Sequence, residues 1–380
     1  MIYLDNGATS LPKPRSVIDA AAWSIGHLAS PGRGSSGASE EAENLLYELR
    51  IAAGKMFSCP PQQVVLTSSA THGLNIALKS LAGPGDRVVI SGMEHNAVVR
   101  PLFSTGADVQ VARGHLFDSK KLLEDFDRLL KPGTSACVVT HVSNVFGWIL
   151  PVEEIAVLCR MRGIPLVVDA SQSAGSLEVN MEALGAAFIA MPGHKGLLGP
   201  QGTGFLLCGY PAKTLMEGGT GSLSAQREMP DFLPDRLESG THNVPGAAGL
   251  LAGMRYLRSV GIRTVSEKEK ELCEVLVRQL KTIPEVEVFY GEDQAGTVSF
   301  RVRNRDCVLL ATRLAEQGIA LRAGLHCAPL AHETAGTLET GTIRASFGPF
   351  NTRQDGKELC RRLEIILERP EFEEAVTDCR

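Results

Sequence analysis

From about position 15 to about position 258, short apolar runs alternate with amphipathic stretches. The runs are 64–66, 87–91, 109–112, 136–140, 166–169, 188–191 and 204–208, several of them near-continuous in Val, Ile and Leu. Runs of that kind predict strands covered on both faces. Between them, 73–81, 119–130 and 151–162 carry helical spacing. The alternation predicts an α/β fold, doubly wound around a mostly parallel sheet.

Beyond position 258 the pattern changes. Ser266-Glu267-Lys268-Glu269 reads as a capping box opening a helix with Leu272, Leu276 and Leu280 on one stripe. Val286/Val288 and Val298/Phe300/Val302 alternate with polar residues, the mark of half-exposed strands. A last helix carries Leu359, Leu363, Ile366 and Leu367 and is expected to stop at Pro370. The division expected is a large domain, residues 15–258, and a smaller α+β domain built from residues 1–14 and 259–380. Residues 217–240, rich in Gly, Ser and Pro, read as a long loop. Loops of that length are usually functional or disordered.

Composition narrows the function classes. The 380 residues are 44% hydrophobic and 21% charged, ordinary for a globular protein large enough for two domains. A net charge of −5 gives no basic surface for nucleic acid. No apolar run approaches the roughly 20 residues that span a bilayer. The start, Met1-Ile2-Tyr3-Leu4-Asp5, lacks the regions of a signal peptide. The nine cysteines are odd in number and scattered, with no CxxC pair. That argues against a disulfide framework or a zinc site and for the reducing cytoplasm.

The candidate chemistry starts at Lys195, in Met191-Pro192-Gly193-His194-Lys195-Gly196, just after an apolar run. A glycine-bounded loop ending a buried strand suits an amine that must lose its proton and attack a carbonyl. Asp169 ends the run 165–168. A lysine and a carboxylate at two strand ends suit a pyridoxal 5'-phosphate (PLP) site, the lysine forming the Schiff base and the carboxylate holding the pyridinium nitrogen.

Other strand ends add pieces, each with a plainer alternative. Thr67 to Gly73, containing Ala70 and Thr71, offers free N–H groups at a helix start for a phosphate, or simply an N-cap. His95 could stack on a cofactor ring, or be a hydrogen-bonded loop histidine. Asn144 could donate to the cofactor's phenolic oxygen, or serve a turn. Gln172 lies within one turn of Asp169 and reaches the same oxygen. In open α/β sheets ligands bind outside the carboxyl ends of strands, where all these pieces fall. Downstream, Cys327 is crowded by glycine, histidine and proline, either as a reactive thiolate or as a buried thiol. Arg344 faces away from Ile343, Ala345 and Phe347, where it could clamp a carboxylate or simply meet solvent.

Together these motifs resemble the cysteine desulfurase/selenocysteine lyase family of class V aminotransferase-like, fold type I PLP enzymes. The resemblance runs from Tyr3-Leu4-Asp5-Asn6-Gly7-Ala8-Thr9 to Arg344 and Phe350-Asn351-Thr352. It implies Lys195 as the Schiff-base lysine, His194 as the phosphate-side histidine and Asp169 as the pyridine-nitrogen carboxylate. It implies Gln172 near the phenolic oxygen, His95 stacked on the ring, and Ala70 and Thr71 in the phosphate turn. Asn144 is implied near substrate and cofactor, Arg344 at the substrate carboxylate, and Cys327 as the persulfide cysteine. Thr220 is implied to reach the neighbouring subunit's phosphate in a homodimer.

The sequence departs from the family at Leu325, for a histidine, at Pro192, for a serine, at Gly7, for an alanine, and across 218–222. The implied reaction converts L-cysteine to L-alanine, with sulfur carried on Cys327 toward an acceptor protein and His95 as the proton shuttle. The same residues leave open a selenocysteine lyase, a class V aminotransferase or epimerase on a small amino acid, and a non-catalytic PLP-binding scaffold.

Overall fold

A computed structural model describes residues 1–32 and 36–368. Its strands in chain order are β1 (Ile2–Tyr3), β2 (Val64–Thr67), β3 (Arg87–Ser91), β4 (Asp108–Ala112), β5 (Thr134–Thr140), β6 (Leu166–Asp169) and β7 (Phe188–Pro192). Then come β8 (Gly204–Cys208), β9 (Val286–Phe289), β10 (Thr297–Val302), β11 (Ile319–Ala320), β12 (Arg322–Gly324) and β13 (Thr342–Ser346). Strands β2 to β8 form one seven-stranded sheet, ordered β2-β8-β7-β6-β5-β3-β4. Only β8 runs against its neighbours. The carboxyl ends of the other six strands therefore share one edge, where an open α/β sheet places its ligand.

The apolar runs are continuous because both faces of this sheet are covered. Val64, Val89, Val168, Ile189 and Leu207 point into one core, with Phe57, Phe126 and Trp148. Val65, Val88, Ile90, Val167, Phe188 and Leu206 point into the other, with Leu74 and Ile76. Alternate side chains thus enter opposite cores, and neither set can be polar. The helix expected at 73–81 begins earlier, at Ala70, because the Ser69 hydroxyl caps it by accepting the His72 N–H at 3.1 Å.

A third core holds Leu272, Leu276, Phe300, Ile343 and Leu363. Leu4 is buried among them, because β1 pairs in parallel with β11. The four-stranded antiparallel sheet of this region is ordered β12-β13-β10-β9. Two expectations are corrected here. Ser266 opens no helix: it lies inside Ile262–Leu280, which starts after Gly261 at φ 90°. Val265 carries the buried stripe back past Ser266, and Glu269 is itself on the buried face. The working capping box is at Thr352 and Asp355, at the start of Arg353–Leu367. Strand β10 is not half-exposed, since its polar face docks on the large sheet's loops, Ser299 Oγ donating to the Val145 carbonyl at 2.6 Å. The expected stop at Pro370 lies outside the described residues.

The helix Val244–Val260 runs through position 258. Among the described residues no helix is long and apolar enough to cross a membrane. The long loop 217–240 is pinned at its far end by a buried ion pair. Arg50 reaches both carboxylate oxygens of Glu238, at 2.7 and 2.6 Å, and each residue is 8% exposed. The same carboxylate accepts the Leu66 N–H at 2.5 Å and faces His242 Nε2 at 2.6 Å. Burial alone would raise this carboxyl, but the hydrogen bonds from His242 and Arg50 outweigh it and hold it below its ordinary value. Removing one partner strands a buried charge. Glu238→Ala should therefore lower the unfolding free energy by about 3–5 kcal/mol in urea titrations. A loss below about 1 kcal/mol would show the pair to behave like a surface bridge.

Candidate active site

The shared edge of the sheet opens into a cavity of about 100 Å³. Ala70, Thr71, His95, Asn144, Asp169, Gln172, His194 and Lys195 all line it. They come from the ends of β2, β3, β5, β6 and β7, so the parallel sheet alone brings them together. Ala70 and Thr71 lie in the first turn of their helix, where N–H groups have no intrahelical acceptor and favour an anion.

The loop carrying Lys195 is laid directly on the turn that follows Asp169. Gly175 and Gly196 touch backbone to backbone there: a Cβ on Gly175 would meet the Gly196 carbonyl group, and one on Gly196 would meet the Ala174 carbonyl oxygen. Burial lowers the Lys195 ammonium to about 8; Asp169 opposes that shift, Arg344 and Arg322 add to it, and Asp5 opposes it. Asp169 is 2% exposed and uses Oδ1 to accept the Ser171 N–H at 2.9 Å. Its second oxygen is open to a cationic ring nitrogen.

The histidines are set as neutral rings. His95 Nδ1 accepts the Ala97 N–H at 3.0 Å, which puts the ring proton on Nε2. Burial lowers its affinity for a second proton; Asp169 opposes this, and Lys195, Arg322 and Arg100 reinforce it. His194 is pushed down to about 4 by burial, with Lys195 and Lys13 adding to the effect, and its Nδ1 meets Thr9 Oγ1 at 3.1 Å. Gln172 lines the cavity, yet its amide nitrogen donates to the Gly7 carbonyl at 3.0 Å, leaving one N–H for a ligand.

Three expected residues lie outside this cavity wall. Arg344 is 2% exposed rather than facing solvent, donating to Asp5 Oδ1 at 2.6 Å and to the Asn144 carbonyl at 2.8 Å. Its Nε has no partner. Cys327 is exposed, while the other described cysteines are all buried. It sits in a turn where His326 and Cys327 both adopt left-handed backbone, φ 49° and 58°. That conformation costs non-glycine residues about 1–2 kcal/mol each, so the turn needs anchors. The Cys327 carbonyl accepts the Asn96 N–H at 2.8 Å, next to His95. Thr220 does not join: its hydroxyl meets Ser222 Oγ at 3.1 Å within the loop 217–240.

Sequence reading missed three contributors. Lys13, set between two prolines, donates to the His194 carbonyl at 2.7 Å and to Ser10 Oγ at 2.6 Å, fixing the residue before Lys195. That proline bracket was a usable signal. Asp5 in the N-terminal segment and Arg322, five residues before Cys327, carried no assigned role, and both act on the charge balance at Lys195. The residues present fit PLP: free first-turn N–H groups for its phosphate, a carboxylate oxygen for its ring nitrogen, a desolvated amine for its aldehyde, and the unpartnered buried Asn144 Oδ1 at the wall.

The family model for aminotransferase class-V matches residues 2–359. This chain belongs to the class-V aminotransferase family. A relative from Methanothermobacter thermautotrophicus, named "Probable cysteine desulfurase", is 34% identical over 96% of this chain and 94% of its own length. The cysteine desulfurase of Thermococcus onnurineus superposes with a TM-score of 0.87 at 30% identity, covering 97% of this chain and 94% of that one. A cysteine desulfurase of Escherichia coli gives 0.85 at 26% identity, covering 97% and 94%. The fold is that of fold type I PLP enzymes, as the resemblance implied.

Capture of an aldehyde such as PLP by Lys195 would require the free amine. An ammonium lowered to about 8 is mostly protonated below that pH and mostly free above it. The rate at which PLP-free protein takes up PLP, followed by absorbance, should therefore climb as pH rises through about 8 and level off. A flat rate from about pH 6.5 to about pH 9.5 would mean that Lys195 is not the group captured.

Proposed function

We propose that this protein is a PLP-dependent cysteine desulfurase that converts L-cysteine to L-alanine and carries the sulfur as a persulfide on Cys327. One observation carries the reading: the exposed cysteine is held beside the cavity in which Lys195 and Asp169 meet. The relatives named as cysteine desulfurases support it. Bound PLP would supply the electron sink for a carbanion at the substrate Cα. Asp169 keeps a negative charge against the ring nitrogen. Ala70 and Thr71 offer backbone N–H groups to the phosphate, with His194 beside them and Thr220 of a second subunit completing it in a homodimer.

Arg344 takes the substrate carboxylate and fixes the direction of the Cα–H bond. Lys195, freed as a neutral amine, accepts the Cα proton. His95, with its proton on Nε2 and its Nδ1 lone pair engaged, donates that N–H toward the substrate sulfur. The Cys327 thiolate then attacks the substrate sulfur. An S–S bond forms, the substrate C–S bond breaks, and its electron pair returns to the carbon skeleton, which is protonated to alanine. An exposed persulfide suits hand-over to an acceptor protein, and the unpaired cysteines suit the cytoplasm.

Borohydride reduction of the yellow protein should lock PLP onto Lys195. Cys327→Ser should abolish sulfide release from cysteine while PLP stays bound. Sulfide release at the wild-type rate would remove Cys327 from the reaction. Selenocysteine turnover by the unsubstituted protein, with cysteine turnover absent there, would mark a selenocysteine lyase. Alanine formed from cysteine sulfinate would report the lyase half alone.

A further inference from the structure

The turn that carries Cys327 belongs to the C-terminal part of the chain, while the cavity belongs to the large sheet. Few bonds cross between them. The Asn96 N–H holds the Cys327 carbonyl at 2.8 Å. The Asn144 side-chain nitrogen holds the His326 carbonyl at 2.8 Å. Inside the C-terminal part, His326 Nε2 donates to the Thr342 carbonyl at 3.2 Å, and Ala328 N–H closes the turn on the Leu325 carbonyl at 2.9 Å.

Asn144 is delivered from a rigid base. The Ser143 hydroxyl accepts the N–H groups of Val145 and Phe146, and Val145, Phe146 and Trp148 are fully buried. The carbonyl acceptor at His326 fixes which way the amide points, so Asn144 Oδ1 is left turned inward without a partner. The backbone carbonyl of the same residue accepts from Arg344 Nη1 at 2.8 Å.

We infer that Asn144 is the positioning residue of sulfur transfer: its side chain sets the Cys327 turn against the cavity while its backbone carbonyl sets the substrate-binding Arg344. One residue thus fixes the distance between the thiol that takes the sulfur and the guanidinium that holds the substrate. This rests on Cys327 as the sulfur carrier, and it goes beyond a contact of Asn144 with cofactor or substrate. Its two attachments separate cleanly on mutation. Removing the side chain frees the turn but leaves the carbonyl, and hence Arg344, in place.

The test uses the PLP-loaded full chain with Asn144→Ala and the same-shaped Asn144→Asp, which loses the donor without changing volume. Hydrogen–deuterium exchange across 324–328 should be faster in both variants, because the turn loses a cross-link. Turnover of cysteine to alanine should fall about tenfold or more in kcat, with KM nearly unchanged, because misplacement affects the reacting sulfur and not carboxylate binding. Exchange at the wild-type rate in both variants would overturn the inference. So would an altered absorbance of bound PLP with unaltered exchange, since Asn144 would then serve the cofactor alone. Sulfide release surviving in Cys327→Ser would instead sink the desulfurase reading, and the exchange rates would still decide whether Asn144 holds the turn.

Discussion

The desolvated amine of Lys195 is the constraint around which the rest is arranged. A lysine held in a protein cavity resists carrying its charge, and here two arginines push it further toward the free amine while Asp169 and Asp5 pull back. The result is a group near neutrality in ordinary buffers, neither a fixed cation nor a permanently free amine. Each of the four flanking charges comes from a different segment of the chain: Asp5 from the N-terminus, Asp169 from β6, Arg322 from β12 and Arg344 from β13. The fold must bring all of them to one place before Lys195 has its chemistry. That explains why the N-terminal strand is woven into the C-terminal core instead of fraying.

The sheet topology performs most of this assembly. Six strands end at one edge, and only β8 reverses direction. Placing β8 between β2 and β7 keeps the phosphate turn after β2 on the same edge as Lys195 after β7. A hairpin-like return from β7 to β8 needs little chain, as antiparallel neighbours do. The glycine contact between residues 175 and 196 then presses the lysine loop onto the turn after Asp169. The spacing between Lys195 and Asp169, the two groups proposed to share one ring, is thereby set by backbone packing.

The sequence was most legible where burial was two-sided. Runs such as Val88-Val89-Ile90 could be read as strands because neither face of the sheet tolerates a polar residue. Cavity residues followed at the strand ends, since the parallel sheet dictates where ligands sit. What stayed hidden depended on contacts between distant segments. The buried face of β10 was invisible because its cover, the Val145 carbonyl, lies 154 residues upstream. The start of the helix at Ile262 was misread because Ser266 and Glu269 satisfy a local capping pattern, while Val265 and Glu269 are turned inward by tertiary packing. Lys13 escaped because its partner is a backbone carbonyl, which no side-chain pattern reveals.

Arg344 shows how these distant contacts become preorganisation. A buried guanidinium is unfavourable unless its donors are occupied, and Asp5 and the Asn144 carbonyl occupy two of its nitrogens. Those bonds fix the plane of the group in advance, so less freedom would be lost if it binds the carboxylate proposed for it. Gly7 lies close against this group: a Cβ there would sit 3.2 Å from the guanidinium carbon and 3.2 Å from Ser346 Oγ. With a Cβ in place, these neighbours would have to give by a few tenths of an ångström. The bare backbone at position 7 thus lies against the end of the site proposed for the substrate, just as the Gly175–Gly196 contact lies against the end proposed for the cofactor. In both places the missing side chain lets a charged group be set by its neighbours.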